Sequence, residues 1–278
     1  MAVALFPNSN ALAIYSLILR NPNYIGPVIR ATRASDSITL DFYADAQGNL
    51  TNTTLAGIQT TISQWISGTS ASIVIWYDQS GNGNNATQTN STYQPTFSLT
   101  KGIQFAGNGI GFILTNPIVN CYTIAVQLNT STAVSNTQMI VSTVSYLNGW
   151  RWFANNIIGT SLISPTSSFY YQDFLAPYNS YYYINNLKGN VGGTVSSFGQ
   201  GSTTVGNNGS YSDNTWNYIV ATRDRDSTLS FTSIGYPGVS TYVSFTGSMF
   251  ELILFGNKIS DNDAATLYAT KNLPSNYI

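Results

Sequence analysis

The 278-residue sequence contains no histidine, a single cysteine and a single glutamate. Without histidine there is no Ser-His-Asp or Cys-His relay, no imidazole base and no His-ligated zinc. Cys121 cannot form an intramolecular disulfide and is expected to be a buried apolar thiol. Charge is scarce too: 8% of residues are charged, well below the roughly 25% of an ordinary globular domain. A formal net charge of −1, with ten Lys and Arg residues in no basic run, gives no field for nucleic acid or anionic lipid. No stretch approaches the roughly 18 apolar residues of a membrane span. The opening Met1-Ala2-Val3-Ala4-Leu5-Phe6-Pro7 has no basic leader and too short an apolar run for a signal peptide. Nucleic-acid partners, a membrane span and a secretory leader are therefore not expected.

What fills the chain instead is 43% hydrophobic residues together with Asn, Ser, Thr, Gly and Tyr. That is ample for a core, and a nearly neutral chain of this hydrophobicity lacks the signature of disorder. The sequons at Asn49, Asn52, Asn85, Asn90, Asn129 and Asn208 are read as products of this composition. No linker and no repeat of 20–50 residues is visible, so one domain over residues 1–278 is expected.

The spacing predicts a short helix capped by Ser9 or Asn10 and holding Leu12, Ile14, Tyr15, Ile18 and Leu19. A second is predicted from Thr54 to Ser67, ended by Gly68. A third starts at Ser260, with Asp261 and Asp263 favoured in its first turn and Lys271 at its end. Between them the chain reads as strands. Tyr122 to Leu128 alternates apolar and polar like a half-buried strand. Ile73 to Tyr77 and Phe250 to Phe255 are apolar on both faces, as covered strands are. Gln138 to Ser145, Trp150 to Ala154, Tyr218 to Thr222 and Thr241 to Phe245 add more. Asn82-Gly83, Asn108-Gly109, Asn148-Gly149 and Pro237-Gly238 mark turns. Many strands with few helices predict an all-β sandwich of two antiparallel sheets, with Trp76, Trp216 and Leu252 in the interior.

Two stretches resemble known families. Asp213-Asn214-Thr215-Trp216-Asn217-Tyr218-Ile219-Val220-Ala221-Thr222, followed by Phe245 to Phe255 and Ile259-Ser260-Asp261, resembles the closing strands and terminal helix of concanavalin A-like and laminin-G-like domains. The resemblance implies a concanavalin A-like jelly roll with a few short helices. Nearer the start, Ala13-Ile14-Tyr15-Ser16-Leu17, then Gly26 to Asp36, then Trp76-Tyr77-Asp78-Gln79-Ser80-Gly81-Asn82-Gly83-Asn84-Asn85 is similar to the catalytic-domain family of α-L-arabinofuranosidase B. That family implies a retaining glycosidase with two carboxyl groups about 5–5.5 Å apart and a disulfide between neighbouring cysteines lining the sugar pocket. Neither carboxylate has a match here, and one cysteine cannot make that disulfide, so no catalytic residue is carried over.

Candidate sites follow from residue chemistry. Glu251, on a face expected to hold Met249, Ile253 and Phe255, reads as a structural carboxylate held by an Arg or by a loop, or as a buried general acid. Asp78 and Asn82 lie in the Gly-rich loop, where Asp78 bonds its own turn, takes Ca²⁺ or, with Asn82, contacts a glycan or partner. Otherwise no cofactor is expected. Arg30 and Arg33 are expected to anchor carboxylates inside the sandwich, and Arg223-Asp224-Arg225-Asp226 to be a solvated hairpin tip. From Phe169 to Tyr183 eight of fifteen residues are aromatic. Tyr170, Tyr171, Tyr178, Tyr181, Tyr182 and Tyr183 are the expected binding surface, because rings with hydroxyls suit sugars and protein interfaces alike.

The sequence thus points to a non-enzymatic recognition or structural protein that presents a surface to a glycan or to other protein subunits. A homo-oligomer or larger assembly, at a virion or cell surface, fits its composition. The alternative is a glycoside hydrolase related to α-L-arabinofuranosidase.

Overall fold

The computed structural model describes residues 10–44, 49–53, 59–130, 137–143, 149–154, 167–172, 181–184, 187–190, 216–222, 230–235 and 243–271. The first half contributes β1 (Ala11–Ser16), β2 (Ile29–Arg33), β3 (Thr39–Ala44), β4 (Leu50–Thr53) and β5 (Gln59–Thr61). After helix α1 (Ile62–Trp65) come β6 (Ala71–Trp76), β7 (Ala86–Thr87), β8 (Thr96–Ser98), β9 (Gly102–Ala106) and β10 (Phe112–Ile118). The middle supplies β11 (Thr123–Thr130), β12 (Thr137–Thr143), β13 (Gly149–Ala154), β14 (Ser167–Gln172), β15 (Tyr181–Ile184) and β16 (Leu187–Asn190). The end supplies β17 (Asn217–Thr222), β18 (Phe231–Ile234), β19 (Val243–Ser244), β20 (Thr246–Phe255) and helix α2 (Asp261–Ala269).

The fold is an all-β sandwich. In the back sheet β20 lies between β1 and β11, and β17, β15 and β16 follow outward from β11. The front sheet runs β4, β3, β2, β6, β7, β10, β18, β12, β13, β14. These pairs are antiparallel; β12 with β19 is parallel. Strands β8 and β9 carry the chain from the front sheet to the lower half of β20.

The core between the sheets includes Leu252 and Leu254 of β20, Ile124 and Val126 of β11, Ile29 and Ala31 of β2, and Trp76. A run of rings, Tyr15, Trp76, Phe112, Phe105 and Phe245, crosses it at centroid separations of 5.7, 6.2, 6.0 and 5.5 Å. Such pairs add about 0.5–1.5 kcal/mol each beyond burial. Trp216 is half-buried and meets Phe250 edge-on. A third layer lies behind the back sheet: Ala264 and Leu267 of α2, with Ile259, cover Ile14, Ala125, Tyr218, Val220, Ile253 and Phe255.

That third layer explains two departures from the sequence reading. Residues 12–16 are strand rather than helix, because Tyr15 packs between the sheets while Ile14 packs under α2. A strand buried on both faces has no polar side, so its apolar spacing mimics a helix. For the same reason β11 is buried on both faces from Thr123 to Leu128, not half-buried. The second predicted helix is the single turn α1, preceded by β4 and β5. Its cap is Thr61, whose side chain and that of Gln64 exchange bonds with each other's backbone N–H groups. The third prediction holds: Ser260 and Asp263 close a capping box, and Lys271 Nζ donates to Tyr268 O at 3.1 Å.

Candidate functional site

The two N-terminal segments that resemble the arabinofuranosidase family meet and are stitched together. Asp78, which is 2% exposed, accepts from Ile14 N, Ser80 N, Ser80 Oγ and Asn84 N at 2.8–3.0 Å. Gln79 accepts from Arg20 N at 2.9 Å and donates to Ser16 O and Ile18 O at 2.8 and 2.9 Å. Asn82 Nδ2 donates to Ala11 O and Leu12 O, both at 3.1 Å, and Asn84 Nδ2 donates to Leu12 O at 3.0 Å. Tyr15 in return donates to Asn84 O. Burial, and secondarily the Asp78 carboxylate, pushes the Tyr15 hydroxyl pKa well up, so it stays a donor. Gly81 and Gly83, at φ of 89° and 74°, let the backbone double back so that these donors converge. Asp78 and Asn82 thus hold β1 in place, and both carboxylate oxygens of Asp78 are occupied by donors of the fold itself. Among the described residues no group of three or more His, Cys, Asp or Glu is placed to hold a metal.

Glu251 is buried without exposure and is gripped by Arg20, whose Nε donates to Oε2 and whose Nη2 donates to Oε1 at 2.8 Å. Ser16 Oγ and Tyr218 Oη complete the carboxylate at 2.9 and 3.0 Å. Arg20 Nη1 turns the other way, to Thr270 O and Oγ1 at the C-terminal end of α2. A guanidinium is favoured there, where helix carbonyls are left over. Glu251 does not share a face with Met249. A bulge at Phe250 shifts the pairing with β11, so Met249 faces the inter-sheet core while Glu251 faces the layer under α2 with Ile253 and Phe255.

Arg30 and Arg33 do not anchor carboxylates inside the sandwich. Arg30 pairs with Asp41, and Arg33 with Asp36, on partly exposed surface. The interior anchor is Arg20, which no local pattern marked. Of the tyrosine-rich segment, Tyr170 and Tyr171 lie on β14, paired with β13, and Tyr181, Tyr182 and Tyr183 lie on β15, between β16 and β17. Tyr178 and Arg223 to Asp226 lie outside the described residues. The β14 and β15 tyrosines belong to different sheets.

No known family profile matches this chain, and no curated protein does. Solved structures do. A GH54 α-L-arabinofuranosidase soaked with a cyclic sulfate inhibitor aligns over 94% of this chain at 13% identity and a TM-score of 0.50. A Glu→Gln variant of the GH54 enzyme soaked with 4-nitrophenyl α-L-arabinofuranoside gives a TM-score of 0.52 at the same identity and coverage. An arabinofuranosidase complexed with arabinofuranosyl-α-1,2-xylobiose gives 0.50. The likeness is one of fold. The chain spans 63% of the length of each of these proteins.

Proposed function

We propose that this chain recognises arabinofuranosyl residues of glycans. The observation that supports the reading best is the fold likeness to arabinofuranosidases over 94% of the chain. It is joined by the stitching of the two signature segments to each other. The likeness favours the hydrolase alternative over a purely structural or binding role.

The carboxylates limit how a hydrolase would be built. Retaining hydrolysis needs two carboxyl groups about 5–5.5 Å apart across one sugar. Glu251 is sealed under Arg20, and Asp78 is spent on its loop. Asp36 and Asp41 are paired with arginines, and Asp261 and Asp263 sit in the first turn of α2. Asp45, Asp173, Asp213, Asp224 and Asp226 remain, and a catalytic pair would be drawn from these five. The second reading is recognition without turnover. It is favoured by the engagement of Glu251 and by the single cysteine, which cannot supply the pocket disulfide that the family resemblance implies.

The test is incubation with 4-nitrophenyl α-L-arabinofuranoside, following nitrophenol release and saturable binding together. Release that is lost on changing one of the five aspartates to Asn supports hydrolysis. Binding without release supports recognition alone. Neither binding nor release overturns the proposal.

A further inference from the structure

The outer face of the front sheet carries a polar and aromatic ladder with no part in the networks above. Ile29, Ala31 and Phe42 point into the core, so Arg30, Asp41 and Tyr43 point outward. Arg30 and Asp41 are register partners closed into a fork: Nε donates to Oδ1 at 2.9 Å and Nη2 to Oδ2 at 2.7 Å. Tyr77 Oη donates to Asp41 Oδ1 at 2.9 Å, and the guanidinium lies 6.0 Å from the Tyr77 ring centroid. The fork is open to solvent, its two side chains 40% and 26% exposed. Tyr43, two residues along β3 on the same face, is 40% exposed. In the other direction the hydroxyls of Thr32 and Thr39, 2.8 Å apart, continue the ladder.

This arrangement has a specific chemistry. Among the described residues, Asp41 Oδ1 takes two donors, whereas Oδ2 takes one and keeps a lone pair. Nη1 of Arg30 makes no hydrogen bond to the described residues. A spare acceptor on Asp41 and a spare donor on Arg30 therefore belong to one fork, held by the sheet register. Their charges cancel, so the fork suits an uncharged ligand. An anion would compete with Asp41 for Arg30, and a cation with Arg30 for Asp41. Two adjacent hydroxyl groups meet both demands, one donating to Oδ2 and one accepting from Nη1. The exposed Tyr43 ring and the half-buried Tyr77 ring beside such a pair offer the apolar faces of a sugar something to lie on. Burial and the bond to Asp41 raise the Tyr77 hydroxyl pKa, which keeps it donating and Asp41 oriented. Residues two apart on a strand are separated by about 6.8 Å, so Tyr43 to Thr39 covers about 14 Å, enough for more than one ring.

We propose that the Arg30–Asp41 fork, flanked by Tyr43 and Tyr77, is a subsite that takes the vicinal diol of a neutral saccharide chain lying along β3. This rests on the reading above that the ligand is a glycan. The test is an NMR titration of ¹⁵N-labelled protein with arabinofuranosyl-α-1,2-xylobiose, for the unmodified chain and for Tyr43→Ala and Arg30→Gln. The expected result is perturbation of the Arg30 Nε–H and Tyr43 amide signals and at least tenfold weaker binding in both variants. Tyr43 is exposed, so Tyr43→Ala should keep its melting midpoint and decides the matter even if Arg30→Gln folds poorly. Binding by both variants within twofold of the unmodified chain overturns the subsite and leaves glycan recognition standing. No binding by the unmodified chain overturns both.

Discussion

Arg20 and Glu251, 231 positions apart in sequence, form an ion pair whose two side chains have no exposed surface. Around it converge Ser16 of β1, Tyr218 of β17 and the C-terminal end of α2. Removing one partner of such a pair leaves an uncompensated buried charge, which costs about 3–5 kcal/mol. Glu251→Gln should therefore lower the unfolding free energy by about that amount in urea titrations. It should not act as a clean catalytic knock-out. A variant as stable as the parent would show that the pair does not hold the layers together.

Asp78 satisfies three backbone N–H groups and the Ser80 hydroxyl from one buried carboxylate. Leaving a buried donor unpaired costs about 1–3 kcal/mol each. Asp78→Ala should thus destabilise by roughly 3 kcal/mol or more and loosen amide protection at Ile14 and Asn84. The donors that fill Asp78 come from the fold, so chelation of divalent cations should leave the melting midpoint of the parent unchanged. A drop on adding chelator would give that loop a calcium ion.

The pH dependence should be alkaline rather than neutral. The sequence has no histidine to titrate between pH 5 and 8. Burial, then the Asp78 and other nearby charges, raises Tyr24 from 10.0 to about 12. Burial likewise raises Tyr15, Tyr77 and Tyr218. A phenol with a raised folded-state pKa binds its proton more tightly when folded. Its stabilisation is whole below the unfolded value near 10 and is lost as pH rises through the folded value. Urea midpoints should be level from pH 7 to 9 and fall steeply between pH 10 and 12, less steeply in Tyr24→Phe. A level profile to pH 11.5 would contradict the buried phenols.

Sequence patterns located β6, β11, β20 and the cap of α2 because their signals are local: apolar runs, alternation, and Ser-x-x-Asp before a helix. What escaped was long-range. Ala11–Ser16 looked helical because α2, some 250 residues later, covers its second face. The face of Glu251 is not legible in the sequence, because a bulge at Phe250 is invisible without its partner strand. Arg20 gave no signal at all, since its partners lie in β20 and α2. The Tyr-Asp-Gln-Ser-Gly-Asn-Gly-Asn string was legible as a motif, yet its role as a stitch for β1 required the fold.

Binding of arabinofuranosyl-α-1,2-xylobiose compared with xylobiose alone tests furanoside recognition most directly. Saturable binding of the arabinosylated trisaccharide, at least tenfold tighter than that of xylobiose, is the expected result. Absence of saturable binding, or equal affinity for the two, would contradict it.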